Sequence, residues 1–179
     1  MADASVRPAR PADAADIARI QVETWRVGYR TILPEPVLAG LDVEAAQQSW
    51  YDALSTPPTP RHRVLVALEQ DWVVGFVALA PTDASEPDGA RADTVGFGPL
   101  LVEPRWGRRG HGSRLLAAAV DTSRPDGVTR VIAWIPEADA ASRTFFGSAG
   151  WAADGYVRAF DTGAGELREV RIQVSLEQG

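Results

Sequence analysis

The residues best placed to do chemistry lie in WGRRGHGSRLL, Trp106 to Leu116. Gly107, Gly110 and Gly112 are interleaved there with Arg108, Arg109, His111, Ser113 and Arg114, and an apolar run follows. A glycine-rich turn that opens a helix is a site for anions. The N–H groups of a first helical turn have no partner inside the helix, and the helix dipole favours negative charge beside them. Glycine lets this backbone approach a phosphate with no side chain between. Arginines on the rim add charge-assisted hydrogen bonds. The natural occupant is a pyrophosphate.

Composition removes competing chemistries. There is no cysteine, which excludes disulfides, thiolate nucleophiles and cysteine zinc sites. All 18 basic residues are arginine, so the chain has neither a P-loop lysine nor a Schiff-base lysine. His62 and His111 stand at unrelated positions, and no metal is expected. A net charge of -6 argues against a nucleic-acid partner. No apolar run approaches the roughly 18 residues of a membrane span, and MADASVRPAR has no apolar secretory core. A cytoplasmic protein with no membrane partner is the expectation.

The residues of WGRRGHGSRLL need elements to hold them. Val6–Ala9 reads as a strand. Pro11-Ala12-Asp13 opens a helix whose apolar positions, from Ala14 and Ile17 through Val27, keep helical spacing to about Tyr29. Further helices are expected over Pro34–Ala39 and Val43–Leu54. The prolines of Ser55–Arg61 make a loop. Arg63–Glu69 and Trp72–Ala80 read as strands around the Gln70-Asp71 turn, and Pro81–Ala92 as a polar loop. Asp93–Val102 is a strand broken by Gly96, Gly98 and Pro99, which predicts a bulge or a splayed edge. A helix over Gly110–Ser123, a strand over Val128–Ile135, a helix over Ala138–Ala149 and a hairpin of Trp151–Asp161 with Glu166–Leu176 complete the order. This is a mixed α/β domain spanning residues 1–179, with residues 1–4 expected to be disordered. A dinucleotide fold would require G-x-G-x-x-G after the first strand. Here the third glycine is missing and the motif comes late.

The order and spacing resemble the GNAT superfamily of acyl-CoA-dependent N-acyltransferases. VRPARPADAADIARIQVETWRVGYRTILP is similar to the opening strand and helices of bacterial members. LLVEPRWGRRGHGSRLL resembles the coenzyme A segment, and SRTFFGSAGW the later segment that usually ends Tyr-x-x-x-Gly-Phe. The resemblance implies a splayed-strand α/β fold with acetyl-CoA as acyl donor and no metal. Leu100, Leu101 and Val102 would orient the pantetheine arm. Arg108, Arg109, Gly110, His111, Gly112 and Ser113 would cradle the pyrophosphate. Gly107 departs from the arginine or glutamine that opens the family's loop. Asp139 stands where the family has asparagine, and Phe146 where it has the tyrosine often assigned as acid to the departing thiolate. Gly96 stands where many members place a glutamate as base, which leaves Asp93, Glu103 and Glu23 as the candidates for moving the proton. Trp25 and Tyr29, with Glu23, would shape a pocket for a small amine or peptide acceptor. The same resemblance admits a homodimer.

Two functions follow as expectations. One is N-acetyl transfer from acetyl-CoA to a primary amine by direct attack in a ternary complex. The other is a non-catalytic acyl-CoA-binding or sensing domain, motivated by Gly96 and Phe146.

Overall fold

The computed structural model describes residues 4–176. Strands β1 (Ala4–Pro8), β2 (Arg63–Glu69), β3 (Trp72–Pro81), β4 (Thr94–Val102), β5 (Arg130–Pro136), β6 (Ala152–Asp161) and β7 (Glu166–Ser175) form one sheet in the order β1-β2-β3-β4-β5-β7-β6. Helices α1 (Ala14–Gly28), α2 (Glu35–Ala39), α3 (Val43–Ser55), α4 (His111–Ser123) and α5 (Ala140–Ser148) connect them. The expected α/β class and element order are those observed. The start differs. Residues 1–3 lie outside the described residues, but Ala4, expected to be disordered, pairs with Glu69 in β1. That strand is one face of a ladder the sequence alone does not reveal.

β4 and β5 are parallel, and the other neighbouring strands are antiparallel. Register runs from Thr94 opposite Arg130 to Phe97 opposite Ala133, and then pairing stops. β4 continues to Val102 along β3 alone, and β5 continues to Pro136 along β7 alone. The expected splay is therefore present as a fork. Its local cause is visible: the β3–β4 register slips between Val77 and Leu79, beside Gly98, and Pro99 has no N–H to offer a neighbour.

Each face of the sheet packs on different helices. Leu115, Leu116 and Ala119 of α4 join Val77, Phe97, Ala133 and Ile135 in the larger core. Ile17 and Ile20 of α1 pack with Val66, Val73 and Phe76 on the opposite face. α3 braces α1 there: Trp50 lies edge-on to Phe76 at 5.2 Å and donates its indole N–H to Gln21 at 2.7 Å. Side-chain caps start two helices. Asp42 accepts from Glu44 and Ala45 at the head of α3, and Asp139 accepts from Ser142 at the head of α5. Among the described residues no helix is long and apolar enough to cross a membrane.

Gly75 sets how closely β3 and β4 approach α4. A Cβ there would sit 2.8 Å from the Leu101 carbonyl oxygen and 3.3 Å from Leu115 Cδ1. Backbone cannot yield as a side-chain tip does, so Gly75→Val is expected to lose about 1–3 kcal/mol or more. Urea unfolding monitored by tryptophan fluorescence checks this, and an unchanged midpoint would refute it.

Candidate active site

The chain leaves β4 through Glu103, whose N–H donates to Val74 O at 2.8 Å. A 3-10 turn over Pro104–Trp106 follows, and Gly107 N closes it on Pro104 O at 3.0 Å. Arg108 then takes φ of +63° and Gly110 +82°. Left-handed backbone is cheap for glycine and costs arginine roughly 1 kcal/mol. The two inversions turn successive N–H groups toward one point. From Arg108 to Ser113 no backbone N–H donates to another described residue. Arg114 N, bonded to Gly110 O at 3.0 Å, is the first to find a partner. Arg108 and Arg109 are exposed and form no ion pair among the described residues. Arg109 stacks over Trp106 at 4.9 Å, and Arg114 donates to Arg109 O at 3.0 Å. Unpaired N–H groups, a helix N-terminus and free guanidinium groups meet at the open end of the β4–β5 fork.

The expected donor-site residues divide between this cradle and its supports. Leu100 and Val102 pack toward α4, Leu101 packs toward α1, and their strand edge facing β5 is unpaired. His111 contributes its backbone to the cradle, while its side chain turns inward and is 2% exposed. Its Nε2 lies 2.9 Å from Glu69 Oε2, outside the angular range of a hydrogen bond. Gly112 is held against Phe145, whose ring would meet an added Cβ at 3.3 Å. Phe146, expected at the cofactor, instead faces the core at 6% exposure and packs on Trp151 at 4.9 Å. Its aromatic neighbour Phe145 is the one beside the cradle.

The three candidate bases are engaged elsewhere. Glu103 is buried between Arg19, at 3.0 Å, and Arg105. Asp93 sits at the paired end of β4, bonded to Arg91 at 3.0 Å and to Thr129 at 3.3 Å. Glu23 is exposed, with Arg19 at 3.6 Å.

The acceptor-side expectation places Trp25 and Tyr29 together. Their rings stack at 6.2 Å and 12°. Asp139, the cap of α5, is close enough to Tyr29 to act on its phenol electrostatically. Burial, then the negative charges of Asp139 and Glu169, push the phenol above its ordinary range. A cavity of about 570 Å³ opens between α3, the strands β1 to β3 and α4, with Trp50, Leu54, Ala80, Gly98 and Ala118 among its walls.

Sequence reasoning missed one group altogether. Arg171, 1% exposed, is bonded to Asp88 at 2.6 Å, Asp154 at 2.7 Å and Glu86 at 3.2 Å. Arg130 adds bonds to Asp88 at 3.0 Å and Asp154 at 3.4 Å. Hydrogen bonding from Arg171 holds the Asp88 carboxyl well below the usual range. The network straps the β3–β4 loop across β5, β6 and β7. Its one trace in the sequence is an arginine inside the otherwise apolar alternation of VRIQV.

Residues 19–151 match the model of the acetyltransferase (GNAT) family. The chain belongs to that family. It is 29% identical over 134 residues to YuaI, an uncharacterised N-acetyltransferase of Bacillus subtilis strain 168, covering 74% of this chain and 72% of that protein. The fold is similar to that of yncA from Salmonella typhimurium, solved with its cofactor acetyl-CoA (TM-score 0.72, 20% identity, 99% and 96% of the two chains). It is also similar to the paiA N-acetyltransferase of Thermoplasma acidophilum in complex with coenzyme A (TM-score 0.73, 14% identity, 97% and 99%).

A raised folded-state tyrosine value fixes the sign of a pH effect. Tyr29 contributes stability that is fully present below the unfolded value of about 10 and is lost as pH rises beyond it. Tyr29→Phe should flatten the alkaline fall in denaturation midpoint. Asp139→Ala should shift one ultraviolet tyrosine titration back toward about 10 and, by removing a cap, cost about 1 kcal/mol. An unaltered titration in Asp139→Ala would refute this electrostatic coupling.

Proposed function

We propose that the protein transfers an acetyl group from acetyl-CoA to a primary amine of a small molecule or peptide, by direct attack in a ternary complex. The observation that carries this reading is the run of unpaired N–H groups from Arg108 to Ser113 at the mouth of an open parallel strand pair. It is supported by membership of the GNAT family and by the coenzyme ligands of yncA and paiA.

The roles follow from placement. The Arg108–Ser113 backbone holds the pyrophosphate, and the Arg108 and Arg109 guanidinium groups neutralise it. The free edge of Leu100–Val102 pairs with the amides of pantetheine, which replace the missing strand partner. A backbone N–H of that edge polarises the thioester carbonyl as charge builds on its oxygen. The neutral amine attacks the carbonyl carbon, the C–S bond breaks, and the thiolate leaves with the electron pair. With no cysteine in the chain, no acyl-thiol enzyme is formed. Phe146 gives the leaving group no proton. A thiol of pKa about 8–9 departs without one, at the cost of a factor typically of about 10²–10⁴.

Calorimetric titration should show acetyl-CoA binding to the wild type. Arg108→Ala with Arg109→Ala should weaken it by about 10-fold or more, as expected for lost charge-assisted bonds. Thiol release should then appear with a member of a panel of amino-acid amides, polyamines, aminoglycosides and peptide N-termini. No binding at millimolar acetyl-CoA overturns the reading. Binding without turnover across the panel replaces it with a non-catalytic acyl-CoA-binding domain, the reading favoured by Gly96 and Phe146.

A further inference from the structure

The side-chain alternation of β5 locates a second face of the fork. Val131, Ala133 and Ile135 belong to the core with α4, so Ile132 and Trp134 point to the opposite face. Gly96 is the register partner of Ile132 and shares that face. Trp134 is the first residue of β5 beyond the last β4–β5 pair. Its indole therefore stands at the fork, on the side away from α4 and its cradle. There it holds a carboxylate: Trp134 Nε1 donates to Glu86 Oε1 and Oε2, at 3.2 Å each.

We infer that Glu86, carried by the loop between β3 and β4, is the general base of the reaction, supplying from that loop the carboxylate that Gly96 does not supply from the strand. This rests on the acetyl-transfer reading above.

Glu86 is not needed to neutralise the arginines. Asp88 and Asp154 each contact both Arg171 and Arg130, whereas Glu86 touches Arg171 alone, through Oε2. Oε1 has only the indole N–H, so it keeps lone-pair capacity for a further donor. The anchoring is rigid. Gly89 N donates to Glu86 O at 2.8 Å, and Arg171 ties the loop to β7. Two guanidinium groups face the indole: Arg158 of β6, 4.3 Å over the ring and paired to Glu169 at 2.6 Å, and Arg171 at 5.9 Å. The donor enters from the cradle side, so the amine meets the thioester from the face where Glu86 lies.

The proton count closes. The incoming ammonium gives one proton to the Glu86 carboxylate, directly or through one water. The free amine forms the C–N bond as the C–S bond breaks. The second nitrogen proton ends on the thiolate, giving the free thiol and the amide. Glu86 returns its proton to solvent.

Glu86→Gln keeps an acceptor for Trp134 and leaves Arg171 with Asp88 and Asp154. With spermidine, tyramine and alanine amide as probes, the variant should lose about 10²-fold or more in kcat/KM and should lose the acid limb of its pH profile. Acetyl-CoA affinity should be unchanged. A Cβ at Gly96 would meet nothing closer than 3.9 Å, so Gly96→Glu can be built in the Glu86→Gln background. It should recover activity and restore the acid limb, which a loop anchor would not do. A Glu86→Gln enzyme at the wild-type rate, or one slowed with its acid limb intact, overturns the inference and leaves acetyl transfer standing. A wild type that binds acetyl-CoA but acetylates none of the probes or the wider panel overturns both.

Discussion

Two strands that run parallel and then part company leave backbone donors and acceptors with no neighbour. In a protein interior such groups are costly unless something pairs with them. β4 and β5 create this condition beyond Phe97 and Ala133, and most of the surrounding architecture keeps it open. Both strands stay anchored on their outer sides, to β3 and to β7. Gly75 lets β3 and β4 lie close under α4. Tyr29 at the end of α1 feels the charge of Asp139 at the head of α5. An extended chain with amides along it is the complement of the free edge.

Charge is divided by location. The chain is acidic overall, yet Arg108, Arg109 and Arg114, none of them in an ion pair among the described residues, stand together at the cradle. The arginines on the opposite face are matched by carboxylates, with Glu86 left over. One region thus accepts an anion without desolvating a competing ion pair. The other is built so rigidly that its spare carboxylate has a defined position. A buried ion network of this kind is weak support for stability but good support for geometry.

Much of the fold was legible because local signals agreed. Pro11-Ala12-Asp13 form the 3-10 turn that leads into α1, and the Gly98-Pro99 pair announced the break in β4. The cradle was legible for the same reason, since glycine spacing and helix start fall within a few residues. The surroundings of the candidate carboxylates were not. Glu103 and Glu23 were plausible by position along the chain, and only packing shows that Arg19 and Arg105 occupy them. Phe146 aligned with a functional tyrosine, but its ring is spent on the core. Glu86 lies in a polar loop with no periodicity, 85 residues before the arginine that fixes it. Contacts of that separation leave no pattern in a sequence window.

The exclusive use of arginine has a meaning that only the cradle brings out. A thioester acylates neutral amines. A lysine on the rim would carry a nucleophile to the donor, and any lysine elsewhere would be a surface target for it. The guanidinium group stays protonated and does not compete as a nucleophile. The cations at the cradle are therefore inert to a thioester, and the 179 residues offer no lysine to be acetylated.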